Sequence, residues 1–366
     1  MNFDLTDEQT MLREALTRFL ADRYGFEARR ALRRDDLGWS RPVWAWLAEQ
    51  GYLGVPFAEE DGGLGGGAVE TMLIGEACGA HLLAEPYLAT VVAAGTALRL
   101  CTHLALGQAL IPAIVAGELI VAFADDGPMT AVPTGDGWSL SGEKINVVHG
   151  DSAARLLVTA ATPAGPGVFL IDPSAPGAVR RGYATFEGLR AADIRLSDAP
   201  AVATLALGPD AELLVERVRQ HMIAFLAAEA VGVMRMLLEL TCEHLRTRVQ
   251  FGQSLARFQA LQHRAVEMLV AIEQAESIKI YAAMMTDDPD PIERRKAFAA
   301  VKAVIGGAAR LVGQSAVQLH GGIGVTDEHR VGWGMKRLTM IEMMVGDTDH
   351  HIAALADLGG FLAAVE

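Results

Sequence analysis

The residues best suited to chemistry lie in one short stretch, Arg248-Val-Gln-Phe-Gly-Gln253, which is followed by Phe258 and Gln259. Arginine carries a planar fork of N–H donors that matches a phosphate group, and the glutamine amides add polar groups at the same place. The stretch therefore indicates a site for a phosphate-bearing ligand. A plain turn between two helices, with Gly252 as the residue that breaks the helix, explains the same residues equally well.

Two further segments agree with the first. They are Gln318-Leu-His-Gly-Gly-Ile-Gly-Val325 and the opening Phe3-Asp-Leu-Thr-Asp-Glu-Gln-Thr-Met-Leu12. Together with the stretch that begins at Arg248, they resemble the Gln-x-x-Gly-Gly-x-Gly, N-terminal and Arg-x-x-Phe-Gly-Gln segments of the acyl-CoA dehydrogenase family of flavoproteins. The three segments lie in the family's order and at its expected distances, so the resemblance covers nearly the whole chain.

The resemblance implies that FAD is bound between a middle sheet domain and a C-terminal helical bundle, partly by residues of a neighbouring subunit. It implies α,β-dehydrogenation of an acyl-CoA thioester, in which a proton leaves Cα and a hydride passes from Cβ to flavin N5. Electrons would then pass to an electron-transfer flavoprotein. The residues that match the family's FAD-binding positions are Arg248, Phe251, Gln253, Gln259, Gln318, Leu319 and Gly322.

The middle of the chain departs from the family. A loop that usually gives hydroxyl and backbone donors to the flavin ring is replaced by Phe123-Ala-Asp-Asp-Gly-Pro128, and a second segment becomes Asn146-Val-Val-His149. His149 could replace a lost donor, or it could be a loop histidine in water. The chain alone is therefore expected to bind flavin poorly or not at all.

The catalytic base is a second departure. The family's two alternative positions for a glutamate correspond to Val345 and Met222, and neither is a carboxylate. Glu229 lies two helical turns after Met222, on a similar face of the same predicted helix. In so apolar a run its carboxylate would be a stronger base than one in water, as proton removal from a carbon acid requires. Alternatively, Glu229 is a structural acid paired with an arginine or a backbone amide.

With both departures, the chain resembles the shorter subunit of two-gene bacterial acyl-CoA dehydrogenases that degrade sterols and other bulky acyl-CoAs. These enzymes form α2β2 tetramers with flavin between unlike subunits. Three hypotheses follow: a homotetramer with Glu229 as base, a partner subunit that completes the FAD site of an α2β2 enzyme, and a scaffold that kept the fold and lost the cofactor.

Composition limits the partners. The net charge of −14 argues against nucleic acid, whose phosphates would be repelled. The cysteines at 78, 101 and 242 are far apart and have no metal-binding spacing. The most apolar window, about Ala105 to Ala124, contains Pro112 and Glu118, which a membrane span would not carry at mid-depth. We therefore expect no metal, no nucleic acid and no membrane span, in a soluble cytoplasmic protein.

Periodicity predicts the elements that position these residues. The pattern indicates a mainly α protein with a central antiparallel β domain: a helical N-terminal domain over 1–115, a middle β domain over 116–208 and a C-terminal four-helix bundle over 209–366. The resemblance implies that the middle domain is β-barrel-like. Apolar residues at helical spacing run from about Leu213 to Leu245 and from Phe258 to Met284. Asp347 and Asp349 are expected to cap the last helix. Long helices with apolar outer faces favour an oligomer.

Overall fold

The computed structural model describes residues 4–135 and 137–361, so Phe3 of the predicted opening segment lies outside the described residues. The first helix begins at a capping box, in which the Thr6 hydroxyl accepts from the Gln9 N–H and the Gln9 side chain accepts from the Thr6 N–H. The chain is helical to residue 115, as predicted. The helices are α1 (Asp7–Arg23), α2 (Phe26–Leu32), α3 (Arg41–Glu49), α4 (Ala68–His81), a π-helix (Tyr87–Ala94), α5 (Gly95–Leu100) and α6 (Leu104–Val115).

The middle of the chain forms one sheet in the order β6-β7-β3-β2-β4-β5-β8, with β1 beside β4. Its strands are β1 (Val121–Ala124), β2 (Met129–Thr134), β3 (Gly137–Val148), β4 (Arg155–Thr162), β5 (Gly165–Ile171), β6 (Ala178–Ala184), β7 (Arg190–Pro200) and β8 (Ala203–Leu207). The central β domain is confirmed, with one correction to its type. Most neighbours are antiparallel, but β1 and β2 each pair with β4 in parallel, so the sheet is mixed.

The last part of the chain is helical again, as predicted. A helix of 39 residues, α7 (Pro209–Thr247), is roughly 58 Å long at 1.5 Å per residue. The chain then forms a small hairpin of β9 (Val249–Gln250) and β10 (Gln253–Ser254), and a 3-10 turn at Leu255–Arg257. The remaining helices are α8 (Gln259–Met285), α9 (Pro291–His320), α10 (Arg330–Met343) and α11 (Thr348–Asp357).

Two helices begin at aspartates that cap their N-termini. Asp290 precedes Pro291 and its carboxylate accepts from the N–H groups of Ile292 and Glu293, which starts α9. Asp347 caps α11, because its side chain accepts from the His350 N–H at 2.8 Å. Asp349 lies in the first turn of α11, where an acidic side chain also suits the helix dipole.

The chain divides into two compact units that are discontinuous in sequence. The first comprises the described residues of Met1–Arg29, Ala68–Leu83 and Ile223–Glu366, and the second comprises Arg30–Gly67 and Ala84–Met222. The sheet lies in the second unit and α8 to α11 lie in the first. The three-domain division with boundaries near 115 and 208 stays a prediction.

Within the first unit, α4 and α7 approach so closely that glycine is required on both. A Cβ atom on Gly79 would stand 1.9 Å from the carbonyl oxygen of Glu229, and one on Gly232 would stand 2.0 Å from the carbonyl oxygen of Glu76. A neighbouring apolar cluster of Met72, Leu73, Ala228 and Ala283 packs beside this crossing, with Leu12 of α1 and Ile280 of α8 against it. Helices α1, α4, α7 and α8 therefore share one packed core.

Among the described residues, no helix combines the length and the apolar character that crossing a membrane needs.

Candidate functional site

A cavity of about 670 Å³ in the first unit contains part of the predicted FAD set. This volume is within the range of small-molecule sites, about 300–1,000 Å³. Of the seven predicted residues, four line the cavity: Arg248, Gln318, Leu319 and Gly322. The other lining residues are His244, Leu255, Ala260, Leu261, Arg264, His320, Gly321 and Ile323.

Arg248 is positioned by the end of α7 and the turn that follows it. Its N–H donates to the carbonyl of His244 at 2.9 Å, and its carbonyl accepts from the N–H of Leu255 at 2.9 Å. These two bonds hold the residue between the helix and the returning chain. Because His244 and Arg248 are four residues apart, both face the cavity.

The end of α9 forms the opposite part of the lining. The helix ends at His320, and Gly321, whose φ is +65°, turns the chain into a 3-10 segment at Gly321–Val325. A Cβ atom on Gly322 would meet nothing within 4 Å, so the backbone there is open to a ligand. Gln318 is exposed and Leu319 is buried beside it.

Three predicted residues do not line the cavity, and their roles stay predictions. Phe251 is 90% exposed at the tip of the β9–β10 hairpin, with a φ of +54° and its ring edge-on to Phe258 at 6.1 Å. Gln253 pairs with Gln250 in the same hairpin. Gln259 is exposed at the first residue of α8.

Sequence reasoning missed three polar side chains of the lining: His244, Arg264 and His320. The signal for them was helical spacing. His244 is one turn before Arg248, and Arg264 is one turn after Ala260 on α8. His244 and Arg264 reach the same lining because the 249–258 segment brings the start of α8 back towards α7.

Two histidines of this lining, His244 and His320, stack on one another, and His329 lies against His320 outside the lining. The ring of His320 lies 4.5 Å from that of His244 and 5.0 Å from that of His329, between ring centroids. The carbonyl of Ala316 lies 2.8 Å from His320 Nδ1, which assigns the proton of the neutral ring to Nδ1. Burial lowers the pKa of each of these histidines, and their mutual repulsion as cations lowers the pKa of His244 and of His320 further.

The histidine stack predicts acid sensitivity. Because each folded-state pKa is lowered, the unfolded chain binds protons first as the pH falls below about 6.5, the usual histidine value. The free energy of unfolding is therefore expected to fall with pH below that value. Each histidine adds at most about 1.4 kcal/mol per pH unit to the slope. Urea unfolding at several pH values between about 7.5 and 5, the range in which histidine titrates, would measure this slope.

A smaller slope is expected for His320→Gln than for the unchanged chain. His263→Gln is the control, because His263 is exposed on α8 and outside the cavity lining. Equal slopes for His320→Gln and the unchanged chain would contradict the assignment.

Glu229, the predicted base, is bound at both oxygens. Arg337 Nε lies 2.6 Å from one carboxylate oxygen and the second guanidinium nitrogen lies 2.7 Å from the other. Both residues are buried, Glu229 at 3% exposure and Arg337 at 6%. This pairing is the structural role that the sequence left open as the alternative, and a free carboxylate for proton removal would require breaking it.

Hydrogen bonds from His351 and Lys302 hold the loop that contains Val345. Val345 has a φ of +59°, a strained value for a β-branched residue. Its carbonyl lies 2.8 Å from His351 Nε2. Lys302, buried in α9, donates at 2.7 Å to the carbonyls of both Ile341 and Glu342 just before the loop. Burial lowers the pKa of Lys302 to about 8.

In the second unit, side chains of α7, β3 and β4 hold the loop over 123–128 in place. Asp125 accepts from Arg219 at 2.7 Å and from the Thr159 hydroxyl at 3.0 Å. Lys144 donates to the carbonyls of Asp125 and Gly127 at 3.1 and 2.7 Å. Both carboxylate oxygens of Asp125 are therefore bound within this unit, so this carboxylate is not free to act on a ligand.

His149, a possible substitute donor in the same unit, is 2% exposed, and its N–H donates to the carbonyl of Arg190 at 2.8 Å. The alternative of a loop histidine in water is therefore wrong.

Comparison with known proteins identifies the family of the chain. Residues 6–118 match the family model for the acyl-CoA dehydrogenase N-terminal domain, and residues 217–358 match that for the C-terminal domain. Acyl-CoA dehydrogenase FadE34 of Mycobacterium tuberculosis is 31% identical over 97% of this chain, which spans 49% of that relative's length.

Two solved structures are similar over nearly their full length. The Tcur3481-Tcur3483 steroid ACAD G363A variant is 30% identical with a TM-score of 0.89, over 96% of this chain and 97% of that one. One chain of the ChsE4-ChsE5 complex of Mycobacterium tuberculosis is 26% identical with a TM-score of 0.91, and the match covers 100% of this chain and 100% of that chain. Because both domain models match and a solved structure of the family is similar over nearly the whole chain, this chain belongs to the acyl-CoA dehydrogenase family of flavoprotein oxidoreductases.

Proposed function

We propose that this chain is a subunit of an FAD-dependent acyl-CoA dehydrogenase, and that it supplies the pocket for the adenine-nucleotide half of FAD to a site that an unlike subunit completes. The observation that carries the proposal is the contrast between two sites. The cavity at Arg248 gathers four motif residues, whereas Glu229 is fully engaged by Arg337.

The cavity suits the nucleotide half of the cofactor. Arg248 would hold a phosphate, Gln318 would hydrogen-bond a polar edge, and Leu319 with Leu261 would cover an apolar face. Gly322 would let the ligand approach the backbone. Bound FAD supplies the acceptor for the hydride that leaves Cβ of the acyl-CoA.

The proton of Cα needs a carboxylate, and the two positions that the family uses for it hold none in this chain. The family's positions for the base are Val345 and Met222, and both oxygens of Glu229 are bound. Asp125 is bound as well, to Arg219 and Thr159. The unlike subunit would therefore carry the base and the contacts to the flavin ring.

The similar structures support an assembly of two kinds of subunit. The names ChsE4-ChsE5 and Tcur3481-Tcur3483 each join two proteins, and the second is called a steroid ACAD. We infer a bulky, steroid-like acyl-CoA as the substrate class and an electron-transfer flavoprotein as the electron acceptor. Val266 and Val270 are more than half exposed on one face of α8, which suits subunit contact. A tetrameric state and a cytoplasmic location stay predictions.

The test is the visible absorption of the protein. The chain purified alone is expected to be nearly colourless, and co-expression with its unlike subunit is expected to give a yellow complex. In that complex, Arg248→Ala is expected to weaken FAD binding about 10- to 150-fold, because charge-assisted hydrogen bonds are worth about 1.5–3 kcal/mol. Arg246→Ala is the control, since Arg246 is exposed on α7 and outside the lining.

Two results would contradict the proposal. A chain that alone holds nearly one FAD per subunit would indicate the self-sufficient homotetramer, and Glu229→Gln kinetics would then test the base. A complex with the unlike subunit that forms but stays colourless would indicate a scaffold that has lost the cofactor.

A further inference from the structure

The cavity carries two guanidinium groups, and only one of them belongs to the recognised motif. Arg248 follows α7 and Arg264 lies on α8, so different elements bring them to the same lining. The sequence motif gives no reason for Arg264 to be there.

The charge of this lining is opposite to that of the chain. The protein has a net charge of −14, with 45 acidic residues. Nevertheless, the lining holds two arginines and two histidines and no carboxylate. Two guanidinium charges without a carboxylate beside them, in an acidic protein, favour a ligand with more than one negative charge.

The guanidinium groups of these two arginines differ from others in the chain in how they are paired. Other guanidinium groups of the chain are paired with acids, as Arg337 is with Glu229 and Arg310 is with Glu342. Within residues 4–135 and 137–361, no ion pair or side-chain hydrogen bond involves Arg248 or Arg264. Their donors are therefore available to a ligand in the cavity.

We propose that Arg264 is a second phosphate-binding residue, and that Arg248 and Arg264 together select a nucleoside diphosphate group over a monophosphate. The inference rests on the proposed function, because it concerns the same nucleotide pocket. Two adjacent phosphates offer charges and acceptor oxygens to two guanidinium groups, whereas one phosphate leaves one group without a partner.

The histidines of the same lining are not the source of this selectivity at neutral pH. Burial lowers the pKa values of His244 and His320, so both rings are neutral there. The charges that face the ligand at neutral pH are those of the two arginines.

The experiment titrates ADP and AMP into the full chain by calorimetry at neutral pH and fixed ionic strength. The chain is expected to bind ADP about tenfold or more tightly than AMP, as one added charge-assisted contact implies. Arg264→Gln is expected to remove that difference by weakening ADP about tenfold while changing AMP little. Arg264→Lys keeps the charge without the fork and is expected to restore part of it.

The matched control is Arg257→Gln. Arg257 is exposed in the turn before α8 and does not line the cavity, so the variant makes the same change of net charge elsewhere. Its ADP-to-AMP ratio is expected to equal that of the unchanged chain. A loss of selectivity in Arg257→Gln equal to that in Arg264→Gln would overturn the proposal, because only overall charge would then matter.

The remaining outcomes separate this inference from the proposed function. If Arg248→Ala loses ADP but Arg264→Gln binds it normally, the second phosphate contact is wrong and the nucleotide pocket stands. If the chain alone binds neither nucleotide, the same variants are compared by FAD retention in the co-expressed complex. Normal retention in Arg264→Gln there overturns the inference, whereas normal retention in Arg248→Ala overturns the proposed function.

Discussion

Arg337→Met is expected to lower the free energy of unfolding by about 3–5 kcal/mol, because it leaves the Glu229 carboxylate buried without its cationic partner. The two residues are almost fully buried and joined by two hydrogen bonds of 2.6 and 2.7 Å. Urea unfolding followed by circular dichroism measures the change. A loss below about 1 kcal/mol, the usual value of an exposed pair, would contradict the buried geometry.

The double variant Glu229→Met with Arg337→Met separates stability from chemistry. Replacing a buried ion pair by apolar side chains of similar volume is often neutral or stabilising, so its free energy of unfolding is expected within about 1 kcal/mol of the unchanged chain or above it. In a complex whose base comes from the unlike subunit, this variant is expected to retain turnover. A stable double variant without turnover would instead assign a role in the reaction to the Glu229–Arg337 pair.

Gly232→Ala is expected to destabilise the chain by about 3 kcal/mol or more, at the upper end of the overpacking range. The added Cβ would lie 2.0 Å from the carbonyl oxygen of Glu76, so α4 and α7 would have to move apart. A backbone carbonyl in a helix cannot rotate away as a flexible side chain can. Gly79→Ala meets Glu229 at 1.9 Å and is expected to behave in the same way.

Gly307→Ala is the matched control for this prediction. Gly307 also lies inside a long helix, α9, but a Cβ atom there meets nothing within 4 Å. Alanine favours the helix over glycine, so this variant is expected to be about 0.5–1 kcal/mol more stable than the unchanged chain. Thermal and urea unfolding of the variants would check it, and equal stability of Gly232→Ala and Gly307→Ala would contradict the close crossing.

Elements with a strong period could be predicted from the sequence, and elements with glycine or uniform apolarity could not. The pattern from Leu213 to Leu245 predicted α7, which extends only a few residues further at each end. Helix α10 was missed, because Gly332 and Gly334 lower its apparent helical propensity. Gly334 is there for packing, since a Cβ atom would lie 2.8 Å from Leu237.

The π-helix at Tyr87–Ala94 could not be distinguished either, because all of its residues are buried and no apolar face stands out. The pairing of β1 with β4 was missed for another reason. Alternation of residues marks a strand but not its neighbour, so a parallel partner is invisible in the sequence.

The part of the cavity lining that belongs to a motif was predictable from the sequence. Arg248 and Gln318 lie 70 positions apart in the sequence, yet the resemblance assigned both to one ligand and the cavity contains both. Arg264 and His244 carry no motif, and their place in the lining depends on the turn between α7 and α8. The partner of Glu229 was equally hidden, since Arg337 is 108 positions away on the helix that was missed.

The discontinuous first unit has a consequence for synthesis on the ribosome. Its core joins Leu12 of α1 and Met72 of α4 to Ala228 and Ala283, so α1 and α4 meet α7 and α8 only after Ile223 and later residues have been made. At about 5–20 residues per second, the pair of α1 and α4 waits on the order of 10–30 s for α7, with the apolar side chains that face α7 and α8 uncovered. Over that interval the nascent chain presents the kind of surface that chaperones bind, and slow-translating conditions would lengthen its exposure.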